Sequence, residues 1–177
     1  SGCAGAVAHA LRVVTKPGDK VLVQAPFFPE YIPYINDTGA QIEIIPARFE
    51  DFQINFEALE QMLQPGVAAI LINSPNNPSG VAYTGETLEK LSSLLAAKSK
   101  ELGYNLFLIS DEPYREIAFG GREIPYPARF YPHTLTCYSF SKSLSVPGER
   151  IGYVAVCPEC EHAEDIVPMC GQISRGI

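Results

Sequence analysis

No apolar run in the sequence approaches the length needed to cross a bilayer. We also expect no leader, since the sequence shows no charged segment followed by an apolar stretch and a small-residue cleavage site. We therefore expect a soluble protein without a membrane partner.

An excess of positive charge is lacking too. The chain has 20 acidic against 13 basic residues, for a formal net charge of -7, and its lysines and arginines form no basic stripe. This balance argues against nucleic acid or an anionic membrane surface as a partner. The five cysteines are an odd number and are scattered, which disfavours a secreted disulfide framework and favours a reducing cytoplasm.

Motifs for metal and dinucleotide binding are incomplete or missing. Cys157 and Cys160 have the spacing of half a zinc site, but no second pair or histidine cluster accompanies them, so we expect no metal. The three histidines form no nucleophile and base arrangement. No Gly-x-Gly-x-x-Gly follows a predicted strand, which disfavours a nicotinamide-binding Rossmann domain.

The chain does contain a regular alternation of predicted strands and helices. At 177 residues, 46% of them hydrophobic, it is long enough for one buried core and too short for two, so we expect a single domain over residues 1–177. The alternation predicts an α/β fold with a largely parallel sheet, which binds ligands beyond the carboxyl ends of its strands. Six strands are predicted at 20–25, 41–45, 68–72, 106–109, 134–138 and 151–156.

The most informative stretch follows the fifth predicted strand and reads Ser-Phe-Ser-Lys-Ser-Leu-Ser-Val-Pro-Gly-Glu-Arg-Ile-Gly, from Ser139 to Gly152. Lys142 lies among small hydroxyl residues, and Arg150 comes eight positions later. A lysine amine can form a Schiff base with a carbonyl compound, and hydroxyl groups with an arginine suit a phosphate. Taken alone, however, the stretch is more typical of a solvated loop.

Residues suited to ligand binding also follow other predicted strands. Phe28 follows the first, Asn77 lies in an Asn-Pro-Ser-Gly turn after the third, and Asp111 follows the fourth. These side chains and Lys142 are therefore expected to converge at one edge of the sheet. Each has an ordinary alternative: aromatic packing for Phe28, a simple turn for Asn77 and a helix cap for Asp111.

The chain opens with small residues, Ser1-Gly2-Cys3-Ala4-Gly5-Ala6, that lead into a predicted helix. Backbone N–H groups in its first turn have no bulky side chains in front of them, which suits a bound phosphate. Close helix packing is the alternative explanation.

Together these motifs resemble the fold type I pyridoxal phosphate (PLP) aminotransferases of class I and II. The resemblance is carried by Ser-x-Ser-Lys with Gly-x-Arg-x-Gly downstream, by Asn-Pro-Ser-Gly after an apolar strand, and by Asp-x-x-Tyr from Asp111 to Tyr114. It implies a three-layer α/β/α sandwich with a mainly parallel sheet, the large PLP-binding domain of that family. It also implies PLP-dependent transfer of an amino group between an amino acid and a 2-oxo acid.

The resemblance assigns roles to individual residues. Lys142 would hold PLP as a Schiff base and then act as the base that moves a proton during catalysis. Asp111 would pair with the pyridinium nitrogen, Phe28 would lie flat on the ring, and Asn77 and Tyr114 would hydrogen-bond its 3'-oxygen. The implied catalytic residues are Lys142, Asp111 and Tyr114.

The same resemblance implies a phosphate site. Its contacts would be Ser139, Arg150 and the backbone of Cys3 and Ala4. Cys3 departs from the family pattern, which usually has glycine, threonine or serine at that position.

The resemblance covers nearly the whole chain but only part of a family member. We expect residues 1–177 to be the core of the large domain, without the N-terminal arm and without the C-terminal small domain that carries the arginine for the substrate carboxylate. The full-length enzyme would be a homodimer with a shared active site. Two alternatives remain: a PLP-dependent lyase or synthase on the same scaffold, and a non-catalytic aminotransferase-like binding domain.

Overall fold

A computed structural model describes residues 2–175 and contains one six-stranded sheet. The strands are β1 (Lys20–Gln24), β2 (Gln41–Ile45), β3 (Val67–Asn73), β4 (Phe107–Asp111), β5 (Thr134–Ser139) and β6 (Gly152–Val156). All six predicted strands are therefore confirmed, with ends that differ by two residues at most. Their order across the sheet is β2-β1-β3-β4-β5-β6. The first five are parallel and β6 is antiparallel to β5, which confirms the mainly parallel sheet.

In the described part of the chain, six α-helices connect or flank the strands: α1 (Gly2–Val14), α2 (Tyr31–Asn36), α3 (Phe56–Met62), α4 (Gly85–Leu102), α5 (Phe140–Ser143) and α6 (Ala163–Arg175). Short 3-10 helices occur at Pro127–Arg129 and Pro147–Glu149. Local sequence explains the ends of α4, because the Thr84 hydroxyl accepts from the Thr87 N–H and Gly103 ends the helix with a left-handed φ of 78°. In residues 2–175, none of the helices combines the length and apolar character that crossing a membrane requires.

The core lies in two layers, one on each face of the sheet. Consecutive strand residues divide between them: Val21 and Val23 pack with α1, α2 and α6, whereas Leu22 packs with α3 and α4 on the other face. This division follows from the two-residue period of a strand, since both faces of a parallel sheet need cover. The result is the expected α/β/α sandwich.

A close contact between β6 and the start of α1 positions one side of the site described below. The Gly2 N–H donates to the Arg150 carbonyl oxygen at 2.9 Å. Gly152 permits this approach, because a Cβ placed there would lie 2.5 Å from the Tyr138 carbonyl oxygen and 2.8 Å from the Gly2 carbonyl carbon. The first turn of α1 and the Arg150 segment are therefore held together.

Candidate active site

The predicted site residues surround one cavity of about 260 Å³ at the carboxyl edge of the parallel strands. All nine contribute to its lining: Cys3, Ala4, Phe28, Asn77, Asp111, Tyr114, Ser139, Lys142 and Arg150. A larger concavity of about 1010 Å³ includes residues that precede strands, such as Asp19, Gly66 and His133, so it lies at the opposite edge. Because ligands of parallel sheets bind beyond the carboxyl ends, the smaller cavity is the candidate active site.

Asp111 is the last residue of β4 and is only 7% exposed. Its Oδ2 atom accepts a hydrogen bond from the Tyr31 hydroxyl at 2.5 Å, and its Oδ1 atom lies 2.6 Å from the Cys3 thiol, which donates to it. No helix begins at this point, since turns follow β4, so the helix-cap alternative for Asp111 is wrong.

Burial governs the electrostatics of Asp111. Loss of hydration raises the pKa of its carboxyl group, while the hydrogen bonds from Cys3 and Tyr31 lower it. Within residues 2–175, no lysine, arginine or histidine forms an ion pair with it. A buried carboxylate with only neutral donors favours a cationic partner, and its remaining lone pairs lie beside the cavity.

Asn77 and Tyr114 both line the cavity wall. Burial and the nearby charge of Asp111 raise the pKa of the Tyr114 hydroxyl, while the neighbouring Asn77 side chain lowers it. Tyr114 therefore carries its proton at neutral pH and can donate it.

Lys142 comes from the short helix α5, directly after β5. Its Nζ atom lies 5.7 Å from the centre of the Tyr114 ring, and the residue is exposed. The strand and helix thus bring the Lys142 amine to the cavity that Asn77 and Tyr114 also line.

Another corner of the cavity is suited to an anion. Cys3 and Ala4 belong to the first turn of α1, whose N–H groups lack intrahelical partners. The Arg150 guanidinium lies beside Gly2, 3.3 Å from where a Cβ on that glycine would stand, and its Nη1 donates to the Pro147 carbonyl oxygen at 3.0 Å. Ser139, directly before α5, lines the same cavity. A helix N-terminus, an arginine and a hydroxyl are typical phosphate ligands.

Two further residues at this site were not predicted from the sequence. One is Tyr31, which donates to Asp111. The other is Asn73, the last residue of β3, which is 3% exposed. Its Nδ2 donates to the Asp111 carbonyl oxygen at 2.9 Å, and its Oδ1 accepts from the Asn77 N–H at 2.6 Å. Its place at the end of a buried strand, beside the Asn-Pro-Ser-Gly turn, was the available signal.

Comparison with known proteins identifies the family. The sequence model of "Aminotransferase class I and II" matches residues 1–174. The chain belongs to this family. It is 36% identical over 162 residues to a probable aspartate/prephenate aminotransferase of Aquifex aeolicus, covering 88% of this chain and 39% of that protein. It is 30% identical to a probable N-acetyl-LL-diaminopimelate aminotransferase of Bacillus subtilis, covering 87% and 38%.

Solved aminotransferase structures share the fold. A crystal structure of an amino transferase from Eubacterium rectale superposes with a TM-score of 0.94 at 46% identity and covers 98% of this chain and 44% of that one. A tetra mutant of the Thermus thermophilus aspartate aminotransferase gives a TM-score of 0.85 at 29% identity, covering 99% and 45%. The chain spans about two fifths of the length of the curated relatives it matches.

Membership of the aminotransferase family implies PLP as the cofactor in general. The residues of this chain fit that group. The buried Asp111 carboxylate has no cationic partner among residues 2–175 and suits a protonated ring nitrogen. The corner formed by Arg150 and the start of α1 suits the phosphate, and Lys142 shares the cavity with both.

Proposed function

We propose that this protein is a PLP-dependent aminotransferase and that residues 1–177 form the core of its PLP-binding large domain. Its reaction moves an amino group from an amino acid to a 2-oxo acid. The observation that carries the proposal is that a buried carboxylate, a lysine amine and an anion-binding corner share one cavity of about 260 Å³. The aminotransferase names of its relatives support it.

The nine predicted residues divide into three groups by what they would hold. Lys142 is the covalent attachment point for the cofactor aldehyde. Asp111, Phe28, Asn77 and Tyr114 hold the ring: the carboxylate at its nitrogen, the aromatic side chain at its face, and the amide and hydroxyl at the 3'-oxygen. The remaining four residues hold the phosphate: Cys3, Ala4, Ser139 and Arg150.

Bound PLP supplies an electron-withdrawing ring that stabilises negative charge on the substrate carbon. Lys142, once its Nζ is free, would act as the base that takes the proton from the substrate Cα. Asp111, as a carboxylate, would favour a positive charge on the adjacent ring nitrogen. Tyr114 and Asn77 remain hydrogen-bond donors throughout, so the chain's own residues orient the reaction and move one proton.

The proposal specifies the substrates as an amino acid and a 2-oxo acid. Relatives are named for aspartate or prephenate, for N-acetyl-LL-diaminopimelate and for arginine with pyruvate, which are chemically dissimilar.

The two alternative functions, a PLP-dependent lyase or synthase and a non-catalytic binding domain, predict different products. An aminotransferase yields a new 2-oxo acid and a new amino acid, a lyase releases ammonia, and a binding domain yields no product.

The proposal includes the expected homodimer and a cytoplasmic location. Leu144 and Ile151, which precede and follow Arg150 in the sequence, are 64% and 53% exposed, and burial of this apolar surface would support association. The five cysteines are free thiols, which supports a reducing compartment. Sedimentation of the full-length protein tests the dimer, and a monomer with bound PLP would contradict it.

Borohydride trapping tests the proposed function directly. The full-length protein is titrated with PLP, the visible absorption is recorded, and borohydride then fixes the cofactor for peptide mapping. We expect the label on Lys142 alone. Lys142→Ala should lose the label, whereas Lys100→Ala, an exposed lysine on α4, should keep it. A label on another lysine, or no absorption from the folded protein, would refute the proposal.

A further inference from the structure

Tyr31 is a buried tyrosine whose hydroxyl is directed at the side chain proposed to hold the ring nitrogen. It is 1% exposed, and its hydroxyl donates to Asp111 Oδ2 at 2.5 Å across 80 residues of sequence. Resting on the proposed function, we infer that Tyr31 is a positioning residue that holds Asp111 as an oriented anion for the cofactor nitrogen.

The surroundings of Tyr31 fix its ring. Phe27 stacks on it with ring centres 6.4 Å apart and planes 13° from parallel. Phe28 contacts it edge-on, with centres 5.8 Å apart and planes at 80°. Because Phe28 is also the residue proposed for the face of the cofactor ring, Tyr31 touches two groups that would contact that ring. Its hydroxyl is therefore held by packing as well as by the hydrogen bond.

The carboxylate is also fixed from its other sides. Cys3 donates to Oδ1, and Asn73 holds the Asp111 main chain through its carbonyl oxygen. Of the two side-chain donors, the hydroxyl forms the stronger type of bond, since O–H donates to a carboxylate more strongly than S–H. Tyr31 is thus the main side-chain contact that sets the direction of Oδ2.

The protonation of both groups agrees with this role. Burial raises the pKa of the Tyr31 hydroxyl, and so does the charge of Asp111, so the phenol keeps its proton and remains a donor. The same hydrogen bond lowers the pKa of the Asp111 carboxyl group against the larger effect of burial. Removing the hydroxyl would leave Asp111 less anionic and less well oriented.

The test compares two ligands that differ in one atom. They are PLP and its 1-deaza analogue, in which a C–H group replaces the ring nitrogen. Dissociation constants are measured for the full-length wild type and for Tyr31→Phe, which keeps the ring and loses the hydroxyl. We expect Tyr31→Phe to weaken PLP binding roughly tenfold, the scale of one hydrogen bond to a charged group, and to leave binding of the deaza analogue unchanged.

Two controls separate positioning from general stability. Tyr83→Phe changes a tyrosine that is 2% exposed on the other face of the sheet, and it should not discriminate between the ligands. In an Asp111→Asn background, Tyr31→Phe should no longer weaken PLP binding more than binding of the deaza analogue, because the hydroxyl acts through the carboxylate. This second control compares Asp111→Asn with the double variant Asp111→Asn, Tyr31→Phe, and it requires binding measurements alone.

The outcomes distinguish the two hypotheses. If the wild type binds neither ligand, both the proposed function and this inference fail. If the wild type prefers PLP but Tyr31→Phe weakens both ligands equally, the proposed function stands and Tyr31 is merely a structural residue. No effect on either ligand would also overturn the inference. A loss confined to PLP would support it.

Discussion

Burial of Asp111 lowers the stability of the cofactor-free protein, because the carboxylate, which accepts from Tyr31 and Cys3, lacks the hydration it has in the unfolded chain. Burial raises the pKa of the group above its ordinary 3.8. At a pH between the pKa of Asp111 in the unfolded chain and its higher pKa in the folded protein, the folded protein binds more protons than the unfolded one. Stability therefore falls as pH rises through this range.

Asp111→Asn removes this titration, so the variant should lack that part of the pH dependence. In the cofactor-free protein, the free energy of unfolding of the wild type minus that of the variant should decrease as pH rises from about 4. Urea unfolding at a series of pH values measures the difference. A difference independent of pH would show that Asp111 has the same pKa in both states.

The same substitution separates cofactor binding from chemistry. Asp111→Asn keeps the shape of the side chain and removes its charge, so PLP affinity should fall by about 1.5–3 kcal/mol, one charge-assisted hydrogen bond. The single-turnover rate should fall further, because an uncharged ring nitrogen stabilises negative charge poorly, and each ~1.4 kcal/mol of barrier slows the reaction tenfold. Stopped-flow absorbance measures the rate. A rate near that of the wild type would mean that Asp111 has no role in the chemistry.

At the scale of single residues, motifs predicted which side chains share the cavity but not how they are supported. Asp111, Asn77 and Lys142 each follow an apolar strand, and the geometry of parallel strands brings them to one edge. Tyr31 has no such signal of its own, and the place of Asn73 at the end of β3 does not show which groups its side chain contacts. Their contacts depend on the turn after β1 and on the neighbouring strand β4, which only the folded chain defines.

The junction of β6 with α1 is the element-scale feature on which the anion-binding corner depends. Gly152→Ala would insert a methyl group 2.5 Å from the Tyr138 carbonyl oxygen and 2.8 Å from the Gly2 carbonyl carbon. Both neighbours are backbone atoms, so the strand and the helix must separate. We expect a loss of about 1–3 kcal/mol in the free energy of unfolding and weaker PLP binding.

Gly148→Ala is the matched control, because a Cβ at that position would meet no atom within 4 Å. Gly148 lies in the segment that leads into β6, and the variant should bind PLP like the wild type. Chemical denaturation and PLP titration of both variants make the comparison. Equal behaviour of the two alanine variants would contradict the importance of the β6–α1 contact.

Strands were easier to predict than their arrangement. Each strand contains a short apolar run bounded by turn residues, and that local signal does not depend on neighbours. The direction of β6 does depend on them. The segment between β5 and β6, residues 140–151, contains Lys142 and is called the lysine loop here. It starts and ends at the carboxyl ends of the parallel strands, so β6 begins where β5 ends and runs antiparallel to it. A helix followed by a loop of that length is also compatible with a parallel connection.

At the scale of the whole molecule, β6 is an edge strand in the sheet that residues 2–175 form, where it pairs with β5 alone. An exposed edge offers unpaired backbone groups to another chain. Gly152, Tyr153 and Ala155 are exposed along this strand, and Tyr153 is 43% exposed despite its contact with Tyr138. The 177-residue polypeptide should therefore associate through this edge.

Ala155→Lys tests this association, because a charge on an edge strand opposes pairing with a second strand. Ala155 is exposed and lies opposite Thr136 of β5, so the longer side chain should be accommodated without loss of the fold. Ala97→Lys places the same charge on an exposed position of α4 and controls for the change in net charge. In sedimentation of the 177-residue polypeptide, the wild type and Ala97→Lys should associate as concentration rises, and Ala155→Lys should remain less associated. If all three polypeptides associated equally, the β6 edge would not be the contact surface.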